Sequence, residues 1–196
     1  MNFDAGSEVN GLEFPVNFKG YILRTVCVDD IENVYIMRKK VAAESDTILS
    51  APDEITLEGM SSWVKNWLSI SNRLFVVVEH GNEIVGQLWV WFLDSKKKTA
   101  HVAEFGMEIV AEHRGNGIGS KLTELAIEWA RNNNAVRIEA ETLEKNIPMR
   151  KILEKFGFEL EGTKKCYLRN RDSYENTVIY GKILDVSKCI DENFQE

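Results

Sequence analysis

The chain has 196 residues, 44% of them hydrophobic and 28% charged, which is the balance of one well-filled globular domain. Its 24 Lys and Arg against 31 Asp and Glu give a net charge of −7, which argues against a protein held by nucleic-acid phosphates or anionic lipid and favours a cationic partner. The longest apolar runs, Phe75 to Val78 and Leu88 to Leu93, fall far short of the roughly 20 residues of a membrane-spanning helix.

No secretory signal is visible, so a cytoplasmic location is expected. Cys27, Cys166 and Cys189 are far apart and in no Cys-x-x-Cys pair, which suits a reducing compartment. His80, His101 and His113 have no spacing that suggests a shared metal, and no metal site is expected.

No repeat or linker divides the chain, so a single domain over 1–196 is expected, with a loose leader over 1–17 and a tail over 186–196. Tyr21 to Val26 reads as a strand, followed by a helix that Asp29 or Asp30 can cap. A second helix follows Thr56, with Leu57, Met60, Val64, Trp67 and Leu68 at helical spacing. Leu74 to Val78 and Ile84 to Leu93 flank His80-Gly81-Asn82 as a hairpin. A third strand covers Ala100 to Val110.

Next come Arg114-Gly-Asn-Gly-Ile-Gly119 and a helix with Ile118, Leu122, Leu125, Ala126, Trp129 and Ala130 on one face. Val136, Ile138 and Ala140 alternate as a strand. A short helix from Asn146 to Phe156 carries Pro148 in its first turn and stops at Gly157. Phe158 to Leu168 and Tyr174 to Leu184 close the chain as strands. The predicted fold is mixed α+β: a mostly antiparallel sheet of about seven strands flanked by about four helices.

Gly115, Gly117 and Gly119 remove Cβ atoms where the chain turns from strand to helix, leaving amide N–H groups aimed into a concavity at a positive helix end. Arg114 and Lys121 can add charge from either side of that anion cradle. Gly119-Ser120-Lys121 reverses the order a Walker A loop needs. A dinucleotide fingerprint, with Gly115, Gly117 and Ser120 and an acid at Glu139 or Glu141, needs a parallel series of strands that the antiparallel run before it does not supply.

Glu104 to Ala130, centred on Arg114-x-x-Gly117-x-Gly119, resembles the acetyl-CoA-binding motif of the GNAT superfamily of N-acyltransferases. Asn146, with Gly157-Phe158 eleven residues on, is similar to a second block of that family, and the resemblance spans roughly residues 19–185. It implies a GNAT-like fold that moves an acetyl group from acetyl-CoA, as co-substrate and without a metal, directly to a primary amine: a polyamine, a small amine or a peptide N-terminus. It implies no nucleic acid and no membrane, and leaves a homodimer open. Loop amides of residues 115–120, Asn116, Ile118 and Ser120 included, would hold the pyrophosphate. The main chain of Ile109, Val110 and Ala111 would border the cofactor, with the N–H groups around Val110 and Ala111 on the acetyl oxygen. Asn146 would bind the pantetheine arm. Separately, the basic run from Lys145 to Arg171 offers Arg150 and Lys151 as candidates for the 3′-phosphate.

An amine acceptor must lose a proton before it attacks, and a strand carboxylate is the natural base. Glu104 and Glu108 differ by an even number and share a face; the resemblance favours Glu104. Leu153 stands where the family commonly carries a Tyr that protonates the leaving thiolate, so Tyr167, Tyr174 or water takes that part. Glu44, Asp46, Asp53, Glu54 and Glu58 form an acidic stretch expected to attract a cationic amine, and Trp89 and Trp91 share a strand face that can line the acceptor pocket. The rival from another class is a non-catalytic acyl-CoA sensor.

Overall fold

The computed structural model describes residues 7–9, 11–44, 50–170 and 173–188. Three short strands open the chain, β1 (Ser7–Val9), β2 (Leu12–Phe14) and β3 (Val16–Phe18), followed by β4 (Tyr21–Thr25). Helices α1 (Ile31–Glu44) and α2 (Leu57–Leu68) precede the strands β5 (Arg73–His80), β6 (Glu83–Phe92) and β7 (Val102–Ile109). Then come α3 (Ile118–Asn132), β8 (Arg137–Leu143), α4 (Ile147–Lys155), β9 (Glu159–Asn170) and β10 (Ser173–Ile183).

Strands β3 to β10 form one sheet of eight in the order β3-β4-β5-β6-β7-β8-β10-β9. Every neighbouring pair in it is antiparallel except β7 and β8. The central strands are apolar on both faces, as a sheet covered twice must be. On β6, Trp89 meets Trp63 of α2 while Phe92 meets Trp129 of α3, so period two sends successive side chains to helices on opposite faces. Leu88, Val90, Leu122 and Trp129 have no measurable exposure in that core.

Local signals account for most boundaries. Thr56 caps α2 by accepting from the Gly59 N–H at 3.0 Å. Gly157 takes a φ of 75° just past α4, the left-handed position that stops a helix.

The structure adds detail at four places. The leader is ordered where it is described: β1 and β2 pair as a hairpin, with Leu12 and Phe14 buried in the main core. Its strands are three residues long, too short to show a period. β3 adds an eighth strand to the expected seven. Asp30 closes a short turn over Val28–Asp30 that leads into α1, where it accepts from the Cys27 N–H at 2.8 Å while holding Arg24 bidentately. Of the tail, Val186–Lys188 forms one further turn. Asp46 and Cys189 lie outside the described residues. Among the described residues no helix is long and apolar enough to cross a membrane.

Candidate active site

The site begins where two parallel strands part. β7 and β8 pair at Val102 with Arg137, Ala103 with Ile138 and Glu104 with Glu139, and then no further. Beyond that point β7 follows β6 as far as Ile109 and β8 follows β10 as far as Leu143. The Val110 N–H donates to the Val85 carbonyl at 3.0 Å, which fixes the parity: even-numbered residues of β7 exchange bonds with β6. The main-chain groups of Met107 and Ile109 therefore point into the opening. The result is a cleft of about 840 Å³ walled by β7, β8, the start of α3 and α4.

Val110 and Ala111, expected to hold an acetyl oxygen, have engaged donors. Val110 serves β6, and the Ala111 N–H donates to Glu44 Oε2 at 2.9 Å. The carbonyl of Ile109 accepts from Arg114 Nε at 2.8 Å. On this edge, among the described residues, the main-chain N–H groups of Met107 and Ile109 are the donors turned toward the cleft.

The three glycines of the turn serve different needs. Gly115 and Gly117 have φ of 80° and 89°, a region closed to most side chains. Gly119 is helical and close-packed: a Cβ there would stand 3.0 Å from Ile152 Cδ1 and 3.7 Å from Met107 Sδ. Gly117 caps α3 without any side-chain hydrogen bond, so the first amides of the helix keep their donors open toward the cleft. Asn116 braces the turn by donating to the His113 carbonyl at 3.1 Å, and Tyr21 hydroxyl meets His113 Nδ1 at 3.1 Å.

On the face of the sheet toward α1 and α2, Glu104, Gly106 and Glu108 stand opposite Trp91, Trp89 and Gln87. Glu108 is buried and partnered. It accepts from Gln87 Nε2 at 2.6 Å and lies 3.4 Å from Arg38 Nε of α1. Burial pushes its carboxyl up, and Arg38 and Gln87 restrain that rise. Glu104 lines the cleft and, among the described residues, makes no hydrogen bond or ion pair. Its pKa is raised to about 7, chiefly by burial, then by the charges of Glu139 and Glu141, with Lys164 opposing. The two acids that strand parity could not separate thus differ in kind: one is a paired structural charge, the other an unpaired group that titrates near neutrality.

α4 supplies the opposite wall. Asn146 accepts from the Met149 N–H at 3.4 Å, donates from Nδ2 to Thr142 Oγ1 at 3.1 Å, and still faces the cleft beside Met149 and Ile152. Leu153 points into the core with no exposure. Arg150 donates to the Tyr180 hydroxyl and the Glu144 carbonyl, each at 3.1 Å, outside the cleft lining.

The expected residues therefore divide. Glu104, Glu108, Trp89, Ile109, Arg114, Gly115, Gly117, Ile118, Gly119, Ser120 and Asn146 converge on one cleft. Glu44, Tyr174, Val110, Ala111, Asn116, Lys121, Arg150 and Leu153 do not line it. Tyr167 of β9 does, whereas Tyr174 is 65% exposed on β10. Arg38 lines it without having been anticipated, and Glu141, weighed before only as a ribose acid of a dinucleotide site, lines it too. Glu141 sits two residues beyond Glu139 on the same face, a parity the sequence did contain. Among the described residues no cluster of His, Cys, Asp or Glu is arranged to hold a metal ion.

A model of the acetyltransferase (GNAT) family matches residues 42–158, which includes β7, the glycine turn and α4. The chain belongs to this family. It is 30% identical over 102 residues to the L-amino acid N-acetyltransferase AaaT of Escherichia coli K12, a match that covers 52% of this chain and 62% of that protein. A protein of Bacillus subtilis 168, provisionally named a ribosomal protein bS18-alanine N-acetyltransferase, is 24% identical over 145 residues, covering 74% of this chain and 85% of that one. In fold, the chain superimposes with a TM-score of 0.77 on a phosphinothricin acetyltransferase from Sinorhizobium meliloti solved with acetyl-CoA, at 15% identity and covering 89% and 95% of the two chains. In this GNAT chain the parted strands and the uncapped start of α3 leave open donors along one continuous cleft. That arrangement fits an elongated thioester cofactor with a diphosphate at one end.

Proposed function

We propose that this GNAT chain transfers the acetyl group of acetyl-CoA directly to a primary α-amine, carried by a free amino acid or a peptide N-terminus. The observation that carries the proposal is Glu104: an unpaired carboxyl with a pKa near 7, on the strand edge where β7 and β8 separate. A base tuned to that value is about half ionised at neutral pH and accepts a proton from an ammonium without a metal.

Acetyl-CoA supplies an activated acetyl group in its thioester. The turn from Gly115 to Ser120 would hold the diphosphate through main-chain N–H groups, and Asn146 together with the Met107 main chain would hold the pantetheine arm. Glu104 takes the proton from the amine nitrogen, and Glu139 and Glu141 make the neighbourhood attractive to a cation. Trp89 and Trp91 form the apolar wall beside it. Arg38, on the same wall, is suited to a carboxylate of the acceptor.

An α-amine is preferred to a polyamine for two reasons. Two of the relatives named above act, by their names, on amino acids and on an alanine. The acidic stretch expected to attract a cationic amine, a polyamine among them, places none of its described carboxylates in the cleft; Glu44 is instead engaged by Ala111 and lies 3.9 Å from Lys40.

The test is thiol release from acetyl-CoA with a panel of L-amino acids, a short peptide with an N-terminal alanine, and spermidine. Release with amino acids or the peptide is expected. Preference for spermidine overturns the acceptor class, and CoA binding without release in any mixture overturns catalysis in favour of a sensor.

A further inference from the structure

Lys19 is a cation in an unfavourable conformation with no local reason to be there. β3 and β4 are joined by two residues, because Phe18 pairs with Tyr21. Both residues of that turn are left-handed, Lys19 at φ 50° and Gly20 at φ 85°. This is the hairpin turn that favours Asn-Gly; a long side chain in its first position carries steric strain that asparagine largely avoids. The ammonium makes a single hydrogen bond, 3.4 Å to the Asn116 carbonyl across 97 residues of sequence, and among the described residues it pairs with no carboxylate.

What the strained turn achieves is placement. A Cβ built on Gly117 would lie 3.6 Å from Lys19 Nζ and 3.5 Å from Phe18 Cζ, so the hairpin tip sits directly on the glycine turn. The ammonium is also 5.4 Å from the centre of the Phe18 ring, which backs it with an apolar face. The two cations that the sequence placed beside that turn are otherwise engaged. Arg114 Nε is on the Ile109 carbonyl, and Lys121 is paired with Glu124 at 2.9 Å. Lys19, outside the cleft lining but against the glycine turn, adds to Arg114 a second cation that among the described residues has no carboxylate partner. Strain of this kind persists where the surrounding structure makes use of it.

Building on the acetyl-CoA reading above, we propose that Lys19, carried by the β3–β4 hairpin, is a ligand of the CoA diphosphate. The hairpin lies outside the family match, which begins at residue 42. Lysine binds phosphate as a mobile point charge, and here it would approach from the side opposite the helix amides.

The test is Lys19→Asn, which removes the charge and relaxes the turn in one substitution. Calorimetric titration with CoA is expected to show a Kd raised roughly three- to tenfold, the range for one exposed charge-assisted contact. The ligand-free variant is expected to melt at or above the wild-type temperature, which separates lost binding from lost folding. The same ratio of Kd values is expected with 3′-dephospho-CoA. An unchanged Kd for CoA overturns the role of Lys19 while leaving the acetyl-CoA reading intact. A loss seen with CoA and absent with dephospho-CoA moves the contact to the 3′-phosphate and overturns the diphosphate assignment. Wild-type protein that binds no CoA overturns both readings together.

Discussion

Trp89 lies across Gly106, its partner on the adjacent strand, so closely that a Cβ at residue 106 would stand 2.5 Å from indole Cζ2 and 2.9 Å from Nε1. The glycine is what lets the indole lie flat between Glu104 and Glu108, and Trp63 holds it edge-on from α2 with ring centres 5.8 Å apart. Gly106→Ala is expected to push Trp89 off the strand at a cost of about 1–3 kcal/mol, by overpacking. In a chain of this length that lowers Tm by roughly 2–4 °C per kcal/mol. Steady-state kinetics are expected to show KM for the amine rising more than KM for acetyl-CoA. Equal changes in the two constants would show that Trp89 is no part of the acceptor wall.

Glu104→Gln is expected to lower kcat/KM by about 10²–10⁴, the usual contribution of a positioned base, and to abolish the rise in rate expected of the wild type as pH passes through about 7. The same change is expected to stabilise the fold. Glu104 has a raised pKa in the folded protein, so between about 4.5 and about 7 the folded state binds more protons than the unfolded one, and stability falls as pH rises through that window. Removing the group therefore raises Tm at pH 8 and changes it little at pH 4.5. Parallel melting curves for the two proteins at both pH values would show that burial of this carboxylate carries no cost.

The parts legible in the sequence are those whose physics is local. Positive φ at Gly115 and Gly117, the cap at Asn146 and the stop at Gly157 each follow from a residue's own conformational range. The shared face of Glu104 and Glu108 follows from strand period. Which of the two acids is free does not, because Arg38 reaches Glu108 from a helix 70 positions earlier, and no spacing rule links them. The register of Trp89 on Gly106, the reach of Lys19 to Asn116 and the burial of Leu153 are products of packing in the same sense. Tyr174 and Tyr167 could not be separated for a further reason. β9 and β10 shift register between Glu175 and Thr177, and such a bulge changes which side chains a strand presents to a neighbour.

Arg38→Met tests the buried pair. The loss leaves the Glu108 carboxylate under α1 with only Gln87 as partner, and breaking a buried ion pair on one side costs about 3–5 kcal/mol. Urea unfolding at neutral pH is expected to show that loss. Burial already raises the Glu108 pKa, and without Arg38 it rises further, so the folded variant takes up a proton sooner as pH falls. The gap between variant and wild type is therefore expected to narrow toward acid pH. The double variant Arg38→Met, Glu108→Gln is expected to recover most of the stability. A gap that stays constant with pH would show that the cost comes from lost packing on Trp63, which the guanidinium covers at 4.9 Å, rather than from the stranded charge.

Leu153 bears on how the leaving thiolate is protonated. It is wholly buried, so a phenol placed there has no path to the cleft without repacking. Leu153→Tyr is expected to cost about 1–3 kcal/mol by overpacking and to leave kcat no higher. Tyr167 is the phenol that does reach the cleft wall, with Lys164 Nζ 4.5 Å from the centre of its ring. A thiolate needs less help from an acid than an alkoxide does, so Tyr167→Phe is expected to lower kcat by roughly ten- to a hundredfold, toward the low end for a proton donor. Tyr174→Phe, on the exposed strand outside the cleft, is expected to change kcat much less. The comparison is made at saturating acetyl-CoA and in solvent deuterium oxide. A larger loss at Tyr174 than at Tyr167, or a solvent isotope effect that Tyr167→Phe leaves untouched, would assign the proton to another donor.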